Sequence, residues 1–174
     1  MGMQKPLFKE LLFRGQSRRK GEKVRIGDGA PVPGAWQYGP GVMQGIGDFS
    51  IIYTDKPEKV VVYTDTLGQF SGFTDQNSHK IFTQDIVDFL GHIGVVDMYK
   101  GSFGIAFDDD IDWDEIEGKI PEITCCDNAL TAVLDDHFIS FWEISNNFNE
   151  GDKELSTVKV IGNIQDNAEL LNCP

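Results

Sequence analysis

The sequence has few cysteines, few histidines, no long apolar run and, in its second half, little positive charge. Each shortage excludes something. Cys125, Cys126 and Cys173 are odd in number and two are adjacent, which is no disulfide framework and fits a reducing compartment. There is no Cys-x-x-Cys and no histidine at ligand spacing, so neither a metal nor any other cofactor is expected. His79, His92 and His137 form neither His-x-x-x-His nor His-Glu-x-x-His, and Gly-x-Ser-x-Gly is missing. Carboxylates abound, but abundance selects no catalytic pair. The expectation is a protein without enzymatic activity. The apolar runs fall far short of the roughly 20 residues that cross a bilayer. Residues 1–25 lack the apolar region and cleavage site of a signal peptide. Pro6 stands where a myristoylation motif needs Ser or Thr. The expected location is therefore the cytoplasm, with no membrane partner.

What is present is globular composition: 174 residues, 40% apolar and 25% charged, enough for one ordinary domain or two small ones. The net charge of −13 is unevenly spread. Residues 1–80 hold 11 Lys/Arg and 8 Asp/Glu, whereas residues 81–174 hold 4 Lys and 20 Asp/Glu. The acidic half would repel a nucleic-acid backbone or an anionic membrane. It suits a basic protein surface or simple solubility.

Along the chain, residues 6–15 admit either a helix, with Leu7, Phe8, Leu11 and Leu12 at helical spacing after Pro6, or a strand at 11–14, and Glu22 to Ile26 alternate as a strand. Together the two strands would form a hairpin carrying Arg14, with Arg18, Arg19 and Lys20 at its tip. That basic cluster is a candidate phosphate contact, although no aromatic residue is interleaved among the three tip residues for base stacking. Residues 27–47 hold seven glycines and three prolines around Trp36 and Tyr38, and are expected as a compact loop. Its glycines match neither a P-loop nor Gly-x-Gly-x-x-Gly. Strands follow at Phe49 to Thr54, Lys59 to Thr64 and Leu67 to Phe73, rich in β-branched and aromatic residues. Thr74-Asp75-Gln76-Asn77-Ser78 is a turn by its Asp and Asn chemistry.

The second half predicts five short strands: Ile86 to Phe89, Ile93 to Tyr99, Phe103 to Phe107, Phe138 to Glu143 and Val158 to Ile164. Glycines at the bends suit a small barrel. Between the third and fourth lies an insertion, residues 108–137. Seven of its positions 108–117 are acidic, including Asp108, Asp109, Asp110, Asp112, Asp114 and Glu115. It is not an EF-hand, because the sixth and twelfth positions from Asp108 are Trp113 and Lys119. A short helix is expected at residues 127–134 with Asp127 as N-cap, and another at 168–171 capped by Asp166 or Asn167.

Several blocks, in order, carry a resemblance. They are Leu12-Phe13-Arg14-Gly15, Gly68-Gln69-Phe70-Ser71-Gly72, Asp75 with Asn77, and Ile81-Phe82 with Asp85-Ile86-Val87. Ile93-Gly94-Val95-Val96, Phe103-Gly104-Ile105 and Val160-Ile161-Gly162-Asn163-Ile164-Gln165-Asp166-Asn167-Ala168-Glu169-Leu170-Leu171 follow. This pattern resembles the signature of the YopX-like family of phage and prophage proteins. The resemblance implies a phage or prophage setting and an SH3-like barrel in the second half, and it brings no catalytic or binding residue with it. The acidic insertion has no counterpart in that pattern. Ser78, Gln84 and Ala168 stand where the family has glycine, glycine and proline; with Ser78 there, Asn77 is expected to take the left-handed position of the turn.

The fold class expected is thus mainly β with a few short helices: an antiparallel β unit over residues 1–80, then an SH3-like barrel over residues 81–174. The function expected is a non-enzymatic interaction module binding a protein partner of the bacterial host through barrel loops and the acidic insertion. The alternative is a nucleic-acid-associated accessory protein using the basic hairpin around residues 14–25.

Overall fold

Alternation decides the first layer. In Phe49–Tyr53 and Lys59–Tyr63 the positions Ser50, Ile52 and Val62 are fully buried, while the residues between them face outward. The computed structural model describes residues 10–17, 36–54, 58–108, 111–112, 116, 137–149 and 152–172. They divide into two compact units, Met1–Gly72 and Phe73–Pro174. Strands are numbered β1 (Phe13–Gln16), β2 (Trp36–Gly39), β3 (Gly41–Gln44), β4 (Phe49–Tyr53), β5 (Lys59–Tyr63), β6 (Gly68–Asp75) and β7 (Lys80–Phe82). They continue as β8 (Asp85–Phe89), β9 (His92–Tyr99), β10 (Ser102–Ala106), β11 (Phe138–Ser140), β12 (Glu154–Leu155) and β13 (Val158–Asn163), with one helix, α1 (Phe141–Phe148), between β11 and β12. No helix among the described residues is long and apolar enough to cross a membrane.

In the first unit β1 lies between β2 and the start of β6, all antiparallel, and β3–β4–β5 form a three-stranded antiparallel sheet. Gly15 on β1 explains how closely the layers approach, since a side chain there would press on Val62 and Ile52. Polar bonds fix the strand ends. Thr66 Oγ1 receives the Gln16 N–H at 2.8 Å and donates to the Tyr63 carbonyl at 2.7 Å. Residues 27–47, expected as a loop, contain β2 and β3 instead. The reason is local: Trp36 to Tyr38 are good strand residues, and Gly39 lets the Tyr53 carbonyl pass where a side chain would overlap it.

The second unit is an antiparallel sheet in the order β11–β10–β9–β8–β13, packed by Ile81, Val87, Phe89, Val96, Ile105, Ile139, Phe141, Ile144, Leu155 and Val158. Its edge strands β11 and β13 are not paired to each other among the described residues, so this sheet is open. The expected strand from Phe138 to Glu143 stops at Ser140, where α1 begins. Ser140 Oγ accepts the Glu143 N–H at 3.1 Å, and Glu143 Oε2 accepts the Ser140 N–H at 2.8 Å. That reciprocal capping box turns the chain out of the sheet and buries Phe141 and Ile144. Ser140→Ala should cost about 1 kcal/mol, read as a lower urea midpoint. The closing helix is a 3-10 turn, Ala168–Asn172. The helix expected at 127–134 lies outside the described residues.

The division after Gly72 falls eight residues before the expected one. The turn that follows β6 belongs to the second unit by its bonds, described below. In that turn the left-handed residue is Ser78 itself, φ 61°, and Gln84 is left-handed too, φ 68°. The expectation that Asn77 would take that position is therefore corrected. Both residues occupy positions where glycine has no steric penalty. Ser78→Gly and Gln84→Gly should each raise stability by about 0.5 to 1 kcal/mol, with an unchanged denaturant slope.

Candidate interaction surface

The residues that mark the sequence most strongly are structural locks. Asp75 ends β6 with its side chain fully buried. Its Oδ1 accepts the backbone N–H groups of Asn77 at 2.8 Å and His79 at 2.9 Å, closing an Asx turn. Its Oδ2 accepts the Val160 N–H at 3.0 Å and lies 3.4 Å from His79 Nδ1. Burial pushes this carboxyl up, but the hydrogen bonds from Val160, His79 and Asn77, with the charge of His79, outweigh it. They hold the group below its ordinary value of 3.8. Around it, Thr74 N–H donates to the Lys153 carbonyl and Gln76 N–H to the Val158 carbonyl. One carboxylate thus ties the first strand of this unit to its last. Asp85 does a smaller version of the same work, its Oδ2 accepting the Phe82 N–H at 2.8 Å.

Of the predicted basic cluster, Arg14 is placed by β1 and is not presented at the surface. It is 7% exposed, with its guanidinium carbon 4.5 Å from the centre of the Trp36 ring. β1 lies between β2 and β6 with Arg14, Gly15 and Gln16 all buried, and at Arg14 stacking on indole replaces contact with water. Arg18, Arg19 and Lys20 lie outside the described residues. In the acidic insertion Asp108 and Asp112 are exposed, flanking the buried Ile111. Asp109, Asp110, Asp114 and Glu115 lie outside the described residues. Among the described residues no three of His, Cys, Asp and Glu gather as a metal-binding group.

The feature that sequence reasoning missed is the outer face of β3–β4–β5. Met43, Ile51 and Val61 stand opposite one another across the three strands. Met43 is 45% and Val61 53% exposed. The next row pairs Phe49 with Tyr63, their ring centres 5.1 Å apart. On the other side Tyr53 donates to Met43 Sδ at 3.6 Å, and Lys59 Nζ sits 5.5 Å over the Tyr53 ring. Ile46, in the turn between β3 and β4, is 95% exposed. Among the described residues these side chains form an adjoining apolar patch on the outer face of the sheet. The register was the missing signal. Every position of Ile51-Ile52 and Val60-Val61-Val62 is apolar, so alternation alone does not say which side faces out.

A second apolar depression, of about 490 Å³, lies in the second unit beside Met98, Tyr99, Phe107 and Phe138. Tyr99 and Phe138 are 5.3 Å apart, and Lys100 Nζ lies 4.6 Å over the Tyr99 ring.

These features define a mainly β protein of two units whose signature residues hold turns and whose exposed chemistry is apolar sheet surface. Residues 43–172 match the family described as YopX protein, and the chain belongs to that family. The match begins at β3 and ends with the 3-10 turn, so it includes the β3–β4–β5 face and excludes Arg14, Arg18, Arg19 and Lys20. No curated protein matches the chain.

Proposed function

We propose that this is a phage- or prophage-encoded, non-enzymatic interaction module that binds a protein partner in the cytoplasm of the bacterial host. The observation that carries this reading is the exposed apolar face of β3–β4–β5, with Met43, Phe49, Ile51 and Val61 in adjoining rows. Rows of large side chains without a core beneath them gain free energy only when another surface covers them. The burial of Arg14 against Trp36 weakens the nucleic-acid alternative, because it withdraws one of the four cations on which that alternative depends. The second unit is read as an SH3-like barrel opened at one side. Gly94 and Gly104 at close strand approaches, and the register shift between Val160 and Gly162, support that curl.

Affinity capture of the tagged full chain from bacterial lysate, with and without nuclease, tests the reading. A specific protein should be retained after nuclease treatment and lost when Met43 and Val61 are both replaced by Ser. Retention that vanishes with nuclease would move the function to nucleic acid and overturn it.

A further inference from the structure

The sheet edges of this protein are closed unequally. In the second unit the turn after β6 covers the outer edge of β13: the Val160 N–H donates to Asp75 Oδ2 and the Val158 carbonyl accepts the Gln76 N–H, both at 3.0 Å. On β11 the Ser140 N–H is taken by Glu143 Oε2 at 2.8 Å. β5 ends the β3–β4–β5 sheet, and register shows where its backbone points. The Thr64 N–H donates to the Asp48 carbonyl at 2.8 Å and the Thr54 N–H to the Glu58 carbonyl at 3.2 Å, so Thr64 and Glu58 bond toward β4. Antiparallel pairs alternate. Val62 and Val60 therefore bond inward too, and Tyr63, Val61 and Lys59 direct their N–H and C=O groups away from the sheet. The Tyr63 carbonyl accepts the Thr66 hydroxyl at 2.7 Å. Among the described residues no hydrogen bond reaches the outward groups of Val61 or Lys59.

We propose that this edge pairs with the same edge of a second copy of the chain, antiparallel about a two-fold axis at Val61. In that register Val61 stands opposite Val61 of the second copy, and Lys59 opposite its Tyr63. All of these residues point their backbone groups outward, so each pair can be a hydrogen-bonded one. The side chains select a copy of this chain as the occupant. The five residues of β5 carry one charge, and antiparallel self-pairing sets Lys59 against an aromatic ring. Parallel self-pairing would set lysine beside lysine. Lysine can guard a sheet edge against strand addition, but Lys59 Nζ lies 5.5 Å over its own Tyr53 ring, on the face. Pairing also joins the Met43–Ile51–Val61 row of each copy into one row, Val61 beside Val61, where that side chain is 53% exposed now. The opposite edge, β3, is the shorter target, since alternation there directs only Val42 and Gln44 outward. The pairing ends before residues 55–57, and the excess of acid in the chain belongs to residues 81–174, outside this strand.

The contact does not depend on a host partner, so it can be tested on the purified full chain alone. Sedimentation at physiological salt, over a range of concentrations, should show a reversible monomer–dimer equilibrium. The Val61 amide should exchange slowly only where the dimer forms. Val61→Pro removes an outward N–H and no bond to β4, so it should leave the chain folded, by urea midpoint, and monomeric. Val61→Lys and Val61→Glu should each weaken the dimer more than about tenfold, because like charges then meet on the axis. Mixing those two variants should restore it as a heterodimer. Monomer at every concentration, a dimer that Val61→Pro leaves intact, or a mixture that associates no better than either variant alone would each overturn the proposal. So would a Val61 amide that slows only when a host protein is added, which would give the edge to a foreign strand.

Discussion

Replacing Asp75 by Ala should destabilise the protein more than any other single change outside the apolar core, by about 3 to 5 kcal/mol. Three part-buried hydrogen bonds, from the N–H groups of the exposed residues Asn77 and His79 and of the half-buried Val160, would lose their acceptor at once. An unpaired buried donor costs about 1 to 3 kcal/mol. Asp75→Asn separates charge from shape. Its oxygen can still serve Asn77 and His79, but its amide would face the Val160 N–H as donor against donor. An intermediate loss is expected, with β13 more open to hydrogen exchange than β9. The same carboxylate gives a pH dependence. Because its folded-state pKa lies below the ordinary 3.8, its stabilisation is complete above that value and is lost as pH falls through the folded pKa. Urea midpoints of the wild type and Asp75→Asn should therefore converge as pH drops from 5 toward 2. Parallel curves would mean that the carboxylate's charge contributes nothing.

Gly104→Ala is the second large effect, at about 2 to 4 kcal/mol. A methyl group at this position on β10 would overlap the Ile139 carbonyl and crowd Ser140 Cα and the Phe138 ring. Two of these three neighbours are backbone, so no rotamer change relieves the clash. β11 would have to move, and Ser140 with it, which strains the capping box that starts α1. The measurement is a thermal or urea midpoint alongside far-ultraviolet circular dichroism. A variant as stable as the wild type would show that β11 is not held where its pairing with β10 places it.

Strands and turns were legible where local chemistry had one solution. β4, β5, β8, β9, β10 and β13 fall within a residue or two of expectation, because β-branched runs bounded by Gly, Asp or Asn admit little else. Asp75 was legible as a turn former, but its bond to Val160, 85 residues away, was not, since composition holds no record of long-range partners. Ser140-Phe141-Trp142-Glu143 contained the signal for α1. The apolar residues around it read equally well as a strand, and the Ser-x-x-Glu spacing decides otherwise. β2 and β3 were hidden by glycine and proline, which punctuate loops but at Gly39 permit a close crossing of strands. β12 is two residues long and exists only as the parallel partner of Thr74 and Asp75. Most of the charged residues that drew attention in the sequence, Arg18, Arg19, Lys20, Asp109, Asp110, Asp114 and Glu115, lie outside the described residues. Arg14 is buried, whereas the β3–β4–β5 face emerged only once register showed which apolar residues lacked a core.

The claim that this face is the contact surface is most directly tested by photo-crosslinking in cells, with a benzophenone amino acid placed at Val61 or, as a comparison on the second unit, at Glu169. Both positions are exposed and distant in sequence. The account expects a discrete protein adduct from position 61 that disappears when Met43 is also replaced by Ser, and none of that mass from position 169. The same adduct from position 169, or none from position 61 beside a partner still captured in lysate, would contradict it.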